Sequence, residues 1–508
     1  MIVAVEPAPP RLLSRAARWL APSLSDIVFC ALLLWLVIFT INSDGKAGLL
    51  VDSGTGYHIR TGDFILQHKA VPYADPFSFS KPGQRWQAWE WLTELLFALL
   101  YGAAGMKPLI ILAATIIALA NLILLRHMLW QGANALVAIG VLHLVVGASS
   151  IHFLARPHIF TLLFLAISLW LIEADLRRPS ARIWLLVPIS VVWANFHGGF
   201  LALLASLGVV TAGLALEGSW PTTRRYVLLG LACTAGTAVN PYGFLVHEHA
   251  LKFFSQNWMV DLVQQEGQSP HFNSPESRYF EILLFAGVAL AAWLISQKQI
   301  AQALLILAWG HEALGSTRHI PIYGFVVAPL LAREATRLWD RWAGAGRRGS
   351  TRAILGDLAV AHTSGLRRSS VWAPALVLAL ALFNFGWSWP TDFPAARYPV
   401  AMATRNAELI SSSRIFTTDS WADYLTFRFY PRQKIFIDSR NDFFWKEMAQ
   451  QYLDVLKGQH GWEAVMKQYD FNAVLVPSAS AISTLLHLRP DWQVVDDDGR
   501  SILFRRTH

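Results

Sequence analysis

Eleven apolar runs punctuate the chain, centred on residues 27–41, 108–125, 133–150, 158–173, 183–196, 199–216, 226–240, 279–296, 300–315, 320–332 and 371–389. The hydrocarbon core of a bilayer takes about 20 apolar residues of helix, fewer where Trp and Tyr cap the ends. Within that core each backbone N–H and C=O must be paired inside the chain, so runs of this kind fold as helices. They leave only 15% of the 508 residues charged, against about 25% in ordinary soluble domains. A soluble enzyme is excluded, and a mostly α polytopic membrane protein with about eleven transmembrane helices is predicted.

Arg11, Arg15 and Arg18 precede the first run and no small-residue cleavage site follows it, so it is predicted to stay as an uncleaved first helix. With the N-terminus placed in the cytoplasm, Arg126, Arg177, Arg178, Arg182, Arg224, Arg225, Lys298 and the eight arginines from Arg333 to Arg368 all fall in cytoplasmic loops. That distribution accounts for the formal charge of +8 without nucleic acid as a partner. It predicts a multi-pass membrane protein with its N-terminus in the cytoplasm. Cys30 and Cys233 lie in apolar runs, which argues against a disulfide framework or a cysteine metal site.

The remaining chain divides accordingly. Residues 1–389 form the transmembrane part, with a first outer loop at 42–90, a second at 241–278 and a flexible basic cytoplasmic linker at 333–370. Residues 91–104 are apolar but short and hold Glu94, which fits an interfacial helix. Residues 390–508 alternate strand-like runs (414–417, 434–438, 473–476, 492–495, 501–504) with helical ones (445–457, 462–468), predicting a small soluble extracytoplasmic α/β domain.

Ten of the 16 histidines map to outer loops or outer helix ends, among them His58, His158, His197 and His319. Ionisable groups there are costly unless they line a wet cavity, so the asymmetry points to a polar site at the outer face. After the first run the chain reads Asp52-Ser53-Gly54-Thr55-Gly56-Tyr57-His58, an acid and an imidazole beside turn-forming glycines. Asp52 is a candidate general base with His58 or a metal as partner, or else an acid capping the helix that follows. Arg156 with His158, and Arg318 with His319, are candidate phosphate ligands, because a guanidinium offers a planar fork of donors. Lipid headgroups or a salt bridge to Glu312 would equally use them. Asn195 and His197 in a tight turn, and Asn240 ending the seventh run, are substrate-binding or capping residues. Asp438 and Arg440 close an apolar stretch, where an internal ion pair is the simpler account. No P-loop, dinucleotide fingerprint, HExxH or Gly-x-Ser-x-Gly elbow occurs.

This pattern resembles the GT-C superfamily of integral membrane glycosyltransferases. The resemblance rests on the first span followed by the Asp52 loop, the short helix at 91–104, about eleven spans and an outer C-terminal domain. More narrowly the chain is similar to a group of bacterial membrane proteins sharing Gly56-Tyr57-His58 with Thr61-Gly62, Asp75-Pro76-Phe77-Ser78, Trp89-Glu90-Trp91-Leu92, Arg156-Pro157-His158, Asn195-Phe196-His197-Gly198-Gly199, Asn240-Pro241-Tyr242-Gly243 and Ile437-Asp438-Ser439-Arg440. Many GT-C enzymes carry two neighbouring acids in the first loop; here Asp52 stands alone, so a second carboxylate must come from Asp75, Glu90 or Glu94, and a divalent metal stays open. The resemblance implies transfer of a sugar from a polyprenyl-phosphate donor to an acceptor hydroxyl at the periplasmic face. The alternatives are a polysaccharide polymerase or ligase using lipid-linked sugars, or a non-catalytic membrane scaffold or transport component.

Overall fold

The computed structural model describes residues 19–43, 48–254 and 267–507. Arg11, Arg15 and Arg18 of the basic flank lie outside these residues, as do short stretches of both outer loops. All eleven apolar runs are helical: α1 (Leu24–Asn42), α4 (Met106–Trp130), α5 (Ala135–Ser149), α6 (His158–Arg177), α7 (Leu186–Phe196), α8 (Leu201–Leu216), α9 (Trp220–Thr237), α11 (Pro275–Ser296), α12 (Ile300–Gly315), α13 (Ile320–Gly344) and α15 (Trp372–Leu382). Among the described residues six helical segments are long and apolar enough to cross a bilayer; the others are shorter or carry charge.

α1 starts on a reciprocal cap. The Asp26 carboxylate accepts from the Ser23 amide at 2.8 Å and the Ser23 hydroxyl accepts from the Asp26 amide at 3.2 Å. Asp26 also accepts from the Ser370 hydroxyl at 2.6 Å, which fastens the start of α1 to the start of α15. The stretch 333–370 is not a flexible linker. α13 continues to Gly344 and α14 (Thr351–Leu366), capped by Ser350, returns along it. Only about half of α13 is apolar, and past that point its charges pair with one another, Arg333 and Arg337 both meeting Glu334 at 2.8 Å.

Between the spans lie α2 (Gly54–His68) and α3 (Trp91–Ala104), packed face to face. Two glycines let α2 pack closely, Gly62 against α3 and Gly56 against Phe427 of the C-terminal part. A Cβ at Gly62 would stand 2.0 Å from the Glu94 carbonyl oxygen, and one at Gly56 would stand 2.7 Å from Cβ of Phe427. The Thr61-Gly62 and Gly56-Tyr57-His58 motifs are therefore contact surfaces as well as candidate chemistry. The helix α10 (Leu245–Phe254) closes the same end of the bundle.

The C-terminal part carries α16 (Val400–Arg405), α17 (Ala407–Ser412), β1 (Ile415–Thr417), α18 (Asp419–Phe429), α19 (Asn441–Leu456), α20 (Trp462–Gln468), β2 (Ala473–Pro477), α21 (Ala481–His487), β3 (Trp492–Asp497) and β4 (Ser501–Arg506). Its sheet runs β1-β2-β4-β3, with β1 parallel to β2 and the other neighbours antiparallel. The segment 434–438, expected as a strand, joins no sheet; Ile435 makes one isolated parallel bridge to Ser78 of the first loop. That loop is woven into the tail, and Phe77, Trp86 and Ala88 are buried in one core with Phe416, Phe436, Phe444 and Phe504.

At the centre of this junction Arg440, 4% exposed, pairs with Asp438 and with Asp75 of the first loop, both at 2.8 Å. Trp86, Phe77, Phe443 and Phe444 ring its guanidinium at 4.6 to 5.6 Å. The internal Asp438–Arg440 contact expected from sequence is present, and Asp75 is committed to the same clamp. Replacing Arg440 by Ala strands two buried carboxylates, which costs about 3–5 kcal/mol. The expected outcome is a lower melting temperature and rapid protease release of the tail from an intact helical remainder.

Candidate active site

Asp52 sits in the turn that starts α2. Its Oδ1 accepts from the Gly54 amide at 2.7 Å and its Oδ2 accepts from Arg156 Nη1 at 2.8 Å. The turn-capping geometry expected as one alternative is present, and the side chain that meets Asp52 is Arg156, whereas His58 faces Glu94 and Glu90. Three further bonds fix the turn: the Thr55 hydroxyl donates to the Ala155 carbonyl at 2.8 Å, Tyr398 Oη accepts from the Ser53 amide at 2.8 Å, and the Ser53 hydroxyl donates to the Ser420 carbonyl at 2.5 Å. Loop residues next to Arg156 and residues of the tail thereby grip the backbone around Asp52 from two sides.

Asp52 and Arg156 open onto a cavity of about 880 Å³. Arg318, Arg397 and Lys457 add positive charge to its wall, which also holds the Asp419 and Asp423 carboxyl groups of α18. The cavity thus brings together Asp52, Arg156 and Arg318 from loops far apart in sequence. Asp419 and Asp423 escaped the sequence analysis because Trp421 between them and Tyr424 just after them mark the helix as core. Two like charges four residues apart on one helix repel and were the available signal. Asp423 is 1% exposed and its Oδ2 has no hydrogen-bond partner; burial, then the charge of Asp438, raises its carboxyl well above the usual range.

The other expected residues form a second, drier cluster behind this cavity. His58 is fully buried and faces Glu94, Nδ1 to Oε1 at 3.1 Å, with Glu90 at 3.6 Å from Nε2. His197 Nδ1 accepts from the Gly199 amide at 2.9 Å and bonds the Thr161 hydroxyl at 2.8 Å, so its Nε2 carries the proton toward Glu90 at 3.3 Å. Burial, then the positive charge of Arg156, pulls His58 down; for His197, burial and then His158 do the same. Both rings are neutral, and they flank one carboxyl. Burial pushes Glu90 from 4.5 up to about 8, with Arg156 opposing it, Asp442 reinforcing it and Arg318 opposing it.

The remaining residues serve as fasteners. His158 Nε2 bonds the His152 carbonyl oxygen at 2.7 Å and His319 Nδ1 bonds the Glu312 carbonyl oxygen at 3.2 Å; neither ring lines the cavity. The Asn195 amide donates to the Val191 and Val239 carbonyls and accepts from Trp91 Nε1 at 2.7 Å. Asn240 closes its own turn on the Tyr242 amide and the Gly243 carbonyl. Among the described residues no group of three or more His, Cys, Asp or Glu is placed to hold a metal ion. The acids and imidazoles are instead paired with arginines and with each other, and no step below runs through a metal.

Glu90 gives the site a pH signature. Folded, it keeps a proton that the unfolded chain releases above about 4.5, so stability falls as pH rises from there to about 8 and is level beyond. Glu90→Gln retains a hydrogen-bonding group for His58 and His197 without titrating. Melting curves between pH 5 and 9 are expected to fall more steeply for the wild type than for this variant; parallel curves would show that Glu90 does not titrate in that window.

No family model matches the sequence, and no curated protein matches it. The fold does have counterparts among solved structures. The oligosaccharyltransferase AglB of Archaeoglobus fulgidus, in complex with an inhibitory peptide and a dolichol-phosphate, is similar over 89% of this chain and 69% of its own, with 12% identity and a TM-score of 0.56. The A. fulgidus oligosaccharyltransferase tethered to an acceptor peptide is similar over 89% and 68%, with 11% identity and a TM-score of 0.53. ArnT from Cupriavidus metallidurans in the apo state is similar over 97% and 98%, with 12% identity and a TM-score of 0.51. At 11–12% identity these likenesses are of fold, and this chain shares the fold of the two oligosaccharyltransferase structures and of ArnT.

Proposed function

We propose that the protein is an inverting glycosyltransferase that moves a sugar from a polyprenyl-phosphate donor to an acceptor hydroxyl at the outer face of the inner membrane. The observation that carries the reading is the cavity in which a carboxylate, Asp52, meets Arg156 and Arg318. The dolichol-phosphate in the AglB complex is a polyprenyl phosphate of the proposed class.

In this reading the donor phosphate enters against Arg156 and Arg318, and Arg156 moves its fork from Asp52 to the phosphate. That exchange frees Asp52 Oδ2 to accept the proton of the acceptor hydroxyl as its oxygen attacks the anomeric carbon. The bond to the phosphate breaks on the opposite side, its electron pair stays with the phosphate, and the arginines neutralise the charge that develops there. His58 supports the turn from behind, through α2, and the tail covers the cavity through Tyr398, Ser420 and α18. A topology with eleven spans and an extracytoplasmic tail puts this cavity at the outer surface.

Native mass spectrometry of the protein in mild detergent tests the donor side. Retained polyprenyl phosphate or its glycosylated form is expected, reduced at least tenfold in Arg318→Ala; ordinary phospholipid bound equally by both forms would point to the scaffold reading instead. Once the donor is identified, Asp52→Asn is expected to lower turnover about 10²–10⁴-fold with donor retention unchanged. Full turnover in Asp52→Asn together with its loss in Arg318→Ala would favour an arginine-based ligase.

A further inference from the structure

A second cavity, of about 220 Å³, lies beside the first and takes no part in the reaction just described. Trp86, Trp445, Arg85, Glu248, Lys252 and Asp442 line it. One turn of chain separates the two: Asn441 faces the large cavity and Asp442 the small one. The Arg440 clamp, one residue earlier, anchors that turn to the first loop.

Trp445 is the feature that asks for a ligand. Its backbone sits at φ 62° and ψ 164°, inside what is otherwise a helix, in a region that side chains other than glycine's enter only under strain. Strain is usually relieved by burying the side chain well, yet this indole is 44% exposed. Lys81 lies over the ring at 5.8 Å, its ammonium group tied to the Phe443 carbonyl at 2.8 Å. The fold holds a rigid aromatic plate out at the cavity rim.

The charge pattern names the class of occupant. The large cavity is rich in guanidinium groups and suits a phosphate. In the small one, two cations, Arg85 and Lys252, are matched by two carboxylates, Glu248 and Asp442. These carboxylates are already engaged, Glu248 with Lys252 at 2.6 Å and Asp442 with His249 at 2.7 Å. A balanced rim of donors and acceptors beside an exposed indole suits a neutral, hydroxyl-rich ring with an apolar face, which is the chemistry of a pyranose.

We infer that the 220 Å³ cavity is a glycan-binding subsite, in which a pyranose unit of a neutral oligosaccharide stacks on Trp445 while Arg85, Gln87 and Asp442 bind its hydroxyls. As an acceptor subsite it rests on the transferase reading; as a sugar site it stands alone. Its place next to the active cavity holds the glycan at a unit remote from the reacting hydroxyl, so it selects the acceptor without touching the chemistry.

The test uses the full chain in detergent with neutral hexasaccharides of glucose, mannose, galactose and N-acetylglucosamine as probes, read by saturation-transfer NMR and titration. At least one probe is expected to bind the wild type, with Kd raised tenfold or more in Trp445→Gly and polyprenyl-phosphate retention unchanged. Because glycine adopts the same backbone without strain, the melting temperature of that variant is expected not to fall. Binding by no probe, equal binding by both proteins, or a Trp445→Gly variant that melts early would overturn the subsite, the last by showing that the indole serves packing. Lipid retention surviving such a result leaves the transferase reading intact. Trp445-dependent glycan binding in a protein that retains no polyprenyl phosphate supports the sugar site and removes the transferase.

Discussion

Arg440 is the interaction on which the functional end of the molecule depends. A guanidinium buried to this extent is tolerated only with its charge matched, and the match comes from two places, Asp438 beside it and Asp75 some 365 positions earlier in the chain. Because Asp75 belongs to the first loop, the clamp fixes where the tail sits over the helices. From that follow the seating of α18 against Gly56, the grip of Ser420 on the Asp52 turn, and the wall of chain between the two cavities. Replacing the clamp with apolar residues of equal volume could leave the fold as stable. An ion pair of fixed geometry adds register, since neither carboxylate is satisfied unless loop and tail meet in one way.

The two cavities differ in electrostatic design. In the larger one, Asp52 pairs with Arg156, and Arg318, Arg397 and Lys457 bring further cations to a wall that also holds the carboxyl groups of α18. In the smaller one the charges are paired within the wall. The first arrangement attracts an ion and orients it; the second presents hydrogen-bonding groups with little net field. Behind both, Glu90 links His58 and His197 in a buried network whose neutral imidazoles and reluctant carboxyl avoid the cost of unpaired charge. Neither Glu90 nor His58 lines the larger cavity, so that network stands one layer removed from it.

Much of this was legible in the sequence. Long apolar runs located eleven of the helices, six of them in segments long and apolar enough to cross a bilayer, because lipid leaves such a run no other way to satisfy its backbone. Four of the five strand-like runs in the tail pair as expected. The run 434–438 does not, since the backbone of Ile435 is taken up by Phe77 and Phe79 of the first loop, a partner that local pattern cannot reveal. The basic stretch 333–370 read as a linker because arginines and glycines resemble one; ion pairs along α13 and capping of α14 make it helical. Asp52, Arg156 and Arg318 were chosen for their chemistry and do share a cavity, whereas His158, His319, Asn195 and Asn240 bond backbone groups at turns and helix ends, Asn195 also holding the Trp91 indole.

By itself, then, the sequence determined that the chain is a helical membrane protein, where its helices run, and which loops carry reactive groups, since each of these follows from local composition and spacing. The tertiary structure alone decided which reactive groups meet. It placed Asp419 and Asp423 in the wall of the arginine-rich cavity, withdrew His58 into a dry layer, committed Asp75 to Arg440 and set Trp445 at the rim of a second cavity. The physical reason is that these outcomes depend on contacts between segments hundreds of residues apart, and such contacts are chosen by the matching of buried charges and the close approach of glycine backbones, neither of which leaves a mark in any one stretch of sequence.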